Sequence, residues 1–138
     1  MKLKNIPKGN SKEDIKTRER IISDFYYEWK RSNPTQRLFN IDLKDYINIR
    51  HISIIETVEH AARTYLSTLA VLQLDSILTM AKKVRIVNVK PKDKNQNQFE
   101  KMIKMEYELV GIGKVSLVVG VKRSNKEKVQ YCITAIKT

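Results

Sequence analysis

Cysteine and long apolar runs are scarce in this sequence. Its one cysteine, Cys132, cannot form an internal disulfide, so we expect a reducing compartment. No apolar run approaches the ~20 residues that a membrane-spanning helix needs. The first residues also lack the apolar core of a signal peptide. These absences predict a cytoplasmic protein with no membrane partner.

The familiar motifs of nucleotide, metal and ester chemistry are missing as well. There is no Gly-rich phosphate loop and no G-x-S-x-G nucleophile elbow. One cysteine and two histidines do not make an ordinary zinc site, and neither His51 nor His60 has an HExxH partner. We therefore expect no metal and no cofactor, which leaves metal-free acid–base chemistry.

Positive charge is abundant but unevenly distributed. The 138 residues carry a net charge of +12. Residues 38–80 hold three basic groups against five acidic ones, so the whole excess lies in the first helix, the Lys-rich stretch 82–104 and the C-terminal strands. An uneven positive field attracts polyanions, and the phosphates of RNA or DNA are the commonest polyanions in a cell.

The sequence predicts a flexible basic arm over residues 1–10 and a single α+β domain over residues 11–138. Ser11 with Asp14 resembles a capping box, and apolar residues at helical spacing predict a helix that stops before Pro34. Residues 35–52 mix helical and strand periods and allow no assignment. A second capping box, Ser53 to Glu56, predicts a helix, and Ser67 or Thr68 could cap another that ends near residue 81.

From residue 84 the apolar period becomes strand-like. We predict four strands near 84–89, 101–109, 115–121 and 129–136, with a polar loop from Pro91 to Gln98 after the first and short connections between the last three. Short connections favour an antiparallel meander, with the helices packed on one face. The other face should be open and polar, and it should carry Lys104, Glu106, Glu108, Ser116, Gln130 and Thr134.

Metal-free cleavage of RNA needs a base for the 2′-hydroxyl, an acid for the leaving oxygen and cations for the charged phosphorane. His60 on a helix, with Glu106 and Lys104 on a strand, could fill these roles. His60 has an equally simple structural interpretation, because Glu56 lies four residues earlier and could bond it across one helical turn. Exposed strand carboxylates such as Glu106 also commonly prevent edge aggregation.

The order of parts resembles the barnase–EndoU–colicin–RelE-like ribonuclease superfamily. A helix bearing His60 and a second short helix over 74–78 precede a four-stranded meander, and the ending Tyr131-Cys132-Ile133-Thr134-Ala135-Ile136 is similar to the last strand of several such domains. More narrowly, the chain looks like uncharacterised domains of phages and conjugative elements, often parts of large polyvalent proteins. The resemblance covers roughly residues 50–137.

The resemblance implies a toxin-type endoribonuclease in which His60 is the general acid or base. Thr134 would position a phosphate oxygen, and Lys104 or Lys122 would stabilise the transition state. The chain departs from the family because no arginine lies centrally on the proposed catalytic face and the last strand has no histidine. A cognate inhibitor is a possible partner of such a toxin.

The basic residues that would contact RNA or DNA are Lys82, Lys83, Arg85, Lys90, Lys92, Lys94, Lys114, Lys122 and Arg123. Two other functions fit the same residues. The protein could bind nucleic acid without cleaving it, or it could be a structural protein that forms oligomers through the aromatic side of its first helix.

Overall fold

The computed structural model describes residues 5–136, and it has an α+β fold, as the sequence predicts. The helices and strands of these residues are α1 (Lys12–Ser32), β1 (Arg37–Asn40), β2 (Asp45–Asn48), α2 (His51–Ala61), α3 (Tyr65–Val71), α4 (Leu74–Met80), β3 (Lys82–Val87), β4 (Phe99–Leu109), β5 (Gly113–Lys122) and β6 (Lys128–Ala135). No helix among them is long and apolar enough to cross a membrane.

The first helix is the one that the sequence predicts. The Ser11 hydroxyl accepts a hydrogen bond of 3.0 Å from the backbone N–H of Asp14, which satisfies a free donor at the helix start. Its apolar stripe is buried, with Tyr26 fully enclosed and Trp29 6% exposed. The aromatic side of α1 therefore packs into the core of the domain.

The other helices differ from the predictions at their ends. Helix α2 begins at His51, and Ser53 lies inside its first turn, where its hydroxyl accepts from the Arg50 N–H. The sequence predicts a single helix after α2, but the structure has two short helices there, α3 and α4. Thr64 caps the first, accepting from the Ser67 N–H, and a turn at residues 72–73 separates α3 from α4.

The prediction of a four-stranded sheet is incomplete. The predicted strands form β3 to β6 and pair antiparallel in chain order, but the sheet of the described residues has six strands in the order β1-β2-β6-β5-β4-β3. The two additional strands, β1 and β2, form an antiparallel hairpin over residues 37–48. Its second strand joins β6 in parallel through one residue pair, Asn48 with Val129, so the sheet is mixed.

The main core lies on one face of the sheet, between the strands and the helices, and includes the fully buried Leu117, Val119 and Ile133. Helix α2 lies along β6, so its residues reach both faces: Ile54 belongs to this core, whereas Ile52 packs on the apolar cluster of the opposite face. We call the opposite face the open face. It has a small apolar cluster of its own, formed by Phe99, Met102, Val129 and Tyr131.

Gln130 lies on the helix side, so its predicted place on the open face is wrong. A β-bulge is the reason, since Val119 pairs with Gln130 while Val118 pairs with Cys132, which leaves Tyr131 as the extra residue. The fully buried Gln130 amide accepts from the Tyr26 hydroxyl at 2.6 Å and donates to the Thr57 hydroxyl at 2.7 Å. These bonds satisfy a polar group that the bulge turns into the core.

Residues 1–4 of the predicted arm lie outside the described residues. The rest of the arm contacts the domain through Arg18, whose guanidinium is fully buried. Arg18 donates to the carbonyl oxygens of Pro7 (2.8 Å) and Gly9 (2.6 Å) in the arm and to that of Ala62 (2.8 Å) at the end of α2. One side chain thus joins the arm, α1 and α2.

Candidate functional site

Cross-strand pairing aligns polar side chains in rows on the open face. Lys82 of β3 pairs with Glu106 of β4, which pairs with Ser116 of β5, which in turn pairs with Thr134 of β6. Paired residues share a face, and neighbouring strands lie about 4.8 Å apart. These four side chains therefore form one row about 14 Å long.

The neighbouring row contains Arg85, Lys104, Val118 and Cys132. It places an arginine directly opposite a lysine on adjacent strands. Over the open-face positions of β3, β4 and β5 there are five cations and two carboxylates. The cations are Lys82, Arg85, Lys104, Lys114 and Lys122, and the carboxylates are Glu106 and Glu108.

A cavity of about 450 Å³ opens above the second row. Its floor is formed by Met102, Lys104, Val118 and Cys132, and its walls come from α2, β3 and the loop 88–98. Four groups able to carry positive charge line it, namely His60, Arg85, Lys90 and Lys104. A volume of this size is typical of small-ligand sites and suits one nucleotide-sized group.

His60 enters this cavity from α2, and carboxylates flank it. Its Nε2 lies 3.3 Å from an oxygen of Glu56 and 3.7 Å from an oxygen of Glu59. The predicted contact across one helical turn with Glu56 is thus confirmed. Glu56 is 4% exposed, and its second oxygen accepts a 2.7 Å hydrogen bond from the Asn95 amide in the loop. The loop therefore holds Glu56, and Glu56 in turn orients His60.

The negative charge of Glu56 also raises the pKa of two other residues that line the cavity, Cys132 and Tyr131. Burial raises the pKa of the Cys132 thiol to about 12, and the Glu56 carboxylate adds to that shift. Burial likewise raises the pKa of Tyr131, and Glu56 contributes in the same direction. Both groups are consequently neutral at physiological pH and offer a thiol and a hydroxyl rather than anions.

The structure brings together two of the four predicted catalytic residues. His60 and Lys104 line the cavity, whereas Glu106 lies one row away, 3.7 Å from the Lys104 ammonium and 3.6 Å from that of Lys114. Thr134 is on the same face, beside Ser116, but only Ser116 of that pair lines the cavity. The open face thus carries all three strand residues, and Lys104 is the one of them that lines the cavity.

The predicted nucleic-acid-binding residues divide into three groups. Arg85 and Lys90 line the cavity. Lys82, Lys83, Lys92 and Lys94 are exposed and do not line the cavity, and the pairing of Lys83 with Met105 turns that lysine toward the helix side. The remaining three have protein partners: Lys114 with Glu106, Lys122 with Glu127 at 3.9 Å, and Arg123 with the Asn97 carbonyl at 3.2 Å.

Glu56, Glu59 and His60 also place one donor atom each within 4.8 Å of one another, a spacing that could hold a metal ion. The same carboxylate oxygens already lie 3.3 Å and 3.7 Å from Nε2 of His60. The cations Arg85 and Lys104 share the cavity and would oppose a further positive charge. The cluster is therefore best explained as support for the histidine.

Sequence reasoning missed the cavity residues of the loop 88–98 and of the bulge. Asn95 and Gln96 read as parts of a solvated loop, yet Asn95 holds Glu56, and the side-chain Oε1 of Gln96 accepts from the Lys90 N–H at 2.9 Å. No local pattern marks the contact of Asn95, because it depends on the return of the chain to α2. Regular alternation along β6 predicts that Tyr131 faces the core, but the bulge turns it toward the cavity.

Comparison with protein-family models, curated proteins and solved structures gives no match for this chain. The resemblance to the ribonuclease superfamily therefore stays a prediction.

Proposed function

We propose that this protein binds RNA along its open face and cleaves it without a metal ion. The observation that carries the proposal is the convergence of His60, Arg85, Lys90 and Lys104 on one cavity. The cations can stabilise the charge of the phosphorane, and the imidazole can transfer protons as a general base and acid. The sequence resemblance to toxin-type domains of phages and conjugative elements supports a role within a mobile genetic element.

In this mechanism His60 takes the proton of the ribose 2′-hydroxyl, and the freed oxygen attacks the adjacent phosphorus. The bond from phosphorus to the 5′-oxygen then breaks, and the protonated His60 gives the proton that it took up to the leaving oxygen. The products are a 2′,3′-cyclic phosphate and a 5′-hydroxyl. Lys104 and Arg85, which are adjacent across two strands, stabilise the extra negative charge on the phosphorane.

The test is cleavage of a structured RNA in EDTA. We expect the wild-type protein to produce 2′,3′-cyclic phosphate ends and His60→Ala to be at least about 100-fold slower, the usual contribution of a general acid or base. His51→Ala is the matched control, because His51 is exposed at the start of the same helix and does not line the cavity. Absence of cleavage by the wild-type protein would remove the catalytic claim.

A non-catalytic nucleic-acid-binding module is the second candidate. It is favoured by the two carboxylates that already surround His60 Nε2 and by the position of Thr134 outside the cavity lining. This function predicts that His60→Ala binds RNA as well as the wild type does. Affinity should fall steeply with salt, because binding releases counterions from the phosphates.

Charge removal in the cavity provides a test shared by both candidates. Arg85→Gln with Lys104→Gln should weaken RNA binding and reduce the slope of log affinity against log salt by about 0.7–0.9 for each lost phosphate contact. Lys12→Gln on α1 is the control, since it removes an exposed charge from another element. An affinity that does not change between low and physiological salt would contradict both candidates.

A further inference from the structure

An aromatic patch lies exposed on the hairpin β1–β2. Phe39 is 46% exposed and Tyr46 is 41% exposed, and the two are cross-strand partners. Their ring centroids are 5.4 Å apart in an edge-to-face arrangement. The guanidinium carbon of Arg37 lies 4.0 Å from the centre of the Tyr46 ring. We call these three side chains the hairpin platform.

The hairpin platform faces the same side of the sheet as the cavity. Tyr46 is two residues before Asn48, so both point to one face, and Asn48 pairs with Val129 of the open-face apolar cluster. Ile47, between them, is fully buried in the helix-side core. By strand order β5 and β4 lie two and three strand spacings from β2 and three and four from β1, or roughly 10–19 Å from the platform.

From this geometry we infer that the hairpin platform is a second contact site for unpaired nucleotides, with bases stacked on Phe39, Tyr46 and the Arg37 guanidinium. The inference rests on the proposed function and specifies its substrate as single-stranded. Exposed aromatic rings on a sheet face stack on the flat surfaces of bases, and a planar guanidinium does the same while attracting phosphate. The bases of a continuous duplex are already stacked and cannot use this surface.

Charge favours a nucleic acid over a second copy of the chain. The platform includes one cation, it lies on the face with the surplus of lysine and arginine, and the whole chain carries +12. Two such faces repel each other, whereas a polyanion is attracted to both the platform and the cavity.

The test is binding of a fluorescent oligouridylate and of a blunt RNA hairpin stem at fixed salt. We expect Phe39→Ala with Tyr46→Ala to weaken oligouridylate binding roughly tenfold or more. Because stacking releases few counterions, the slope of log affinity against log salt should stay at its wild-type value. Tyr46→Phe should bind like the wild type, since it keeps the ring, and the melting temperature checks that each variant folds.

The outcomes separate this inference from the proposed function. If the double alanine variant binds oligouridylate normally while Arg85→Gln with Lys104→Gln does not, the platform inference is wrong and the cavity function stands. If neither RNA binds the wild type, both are wrong. A wild-type dimer that the platform substitutions dissociate, with RNA binding unchanged, would overturn the inference in favour of self-association.

Discussion

The carbonyl oxygen of Ala62 accepts a 2.8 Å hydrogen bond from Nε of Arg18, a residue 44 positions earlier in the chain. The guanidinium is fully buried, and each partner found for it among the described residues is a backbone carbonyl. Two of these carbonyls, of Ala62 and Arg63, follow the end of α2, where the helix dipole favours a cation.

Arg18→Met should lower the free energy of unfolding by at least about 2 kcal/mol, because it leaves several carbonyl oxygens without a donor. The arm should loosen at the same time, which hydrogen exchange at residues 8–10 would detect. Arg20→Met is the matched control, since Arg20 is exposed on the same helix. Equal stability of the two variants would contradict the anchoring role of Arg18.

Tyr26→Phe should cost about 1–3 kcal/mol, because the buried Gln130 oxygen loses its donor while the ring packing is kept. Chemical denaturation of the variant measures the loss. Tyr27→Phe, at an exposed neighbouring position, should change stability by less than about 0.5 kcal/mol. A Tyr26→Phe protein as stable as the wild type would mean that another donor reaches Gln130.

Gly120→Ala should destabilise the open-face cluster. A Cβ at this position would lie 2.7 Å from the Phe99 ring, well inside van der Waals contact. Both residues are buried, so we expect a loss of about 1–3 kcal/mol. Phe99→Leu in the same chain should recover part of it, and strictly additive effects in thermal denaturation would argue against the clash.

Cys132 should react slowly with iodoacetamide. With its pKa raised to about 12 by burial and by Glu56, the thiol is protonated at pH 8, and only the thiolate attacks. Mass spectrometry should show alkylation at least about 100-fold slower than for a free cysteine peptide. Glu56→Gln should lower the pKa and raise the rate. A wild-type rate equal to that of the peptide would show that the thiol is not protected.

Much of the fold follows from patterns that lie close together in the sequence. The Ser11 cap, the stop before Pro34 and the alternation in β4, β5 and β6 each depend on neighbouring residues. The hairpin over residues 37–48 cannot be recognised from local sequence. Gln36, just before it, and Lys44, in its connecting turn, both have positive φ, where a glycine or asparagine would have indicated a turn.

The candidate site likewise combines contacts between neighbouring residues, which the sequence predicts, with long-range contacts, which it does not. Glu56 and His60 meet because they are one helical turn apart, which the sequence displays directly. The contact of Asn95 with Glu56 spans 39 residues and depends on how the loop 88–98 returns to α2. The pairing of Arg85 with Lys104 depends on a register that includes an irregularity between Lys83 and Arg85. No short-range rule supplies such contacts.

Tyr131 is the extra residue of β6, and a change of strand length at this position would alter the lining of the cavity. Gln130 points inward, while Tyr131 and Cys132 both line the cavity. A homologous strand that lacked Tyr131 could preserve the same pairing, with Gln130 still facing the core opposite Val119, yet it would lose the tyrosine side chain from the cavity lining. Insertion and deletion at this position, rather than substitution, would then distinguish relatives that keep the pocket from relatives that keep only the scaffold.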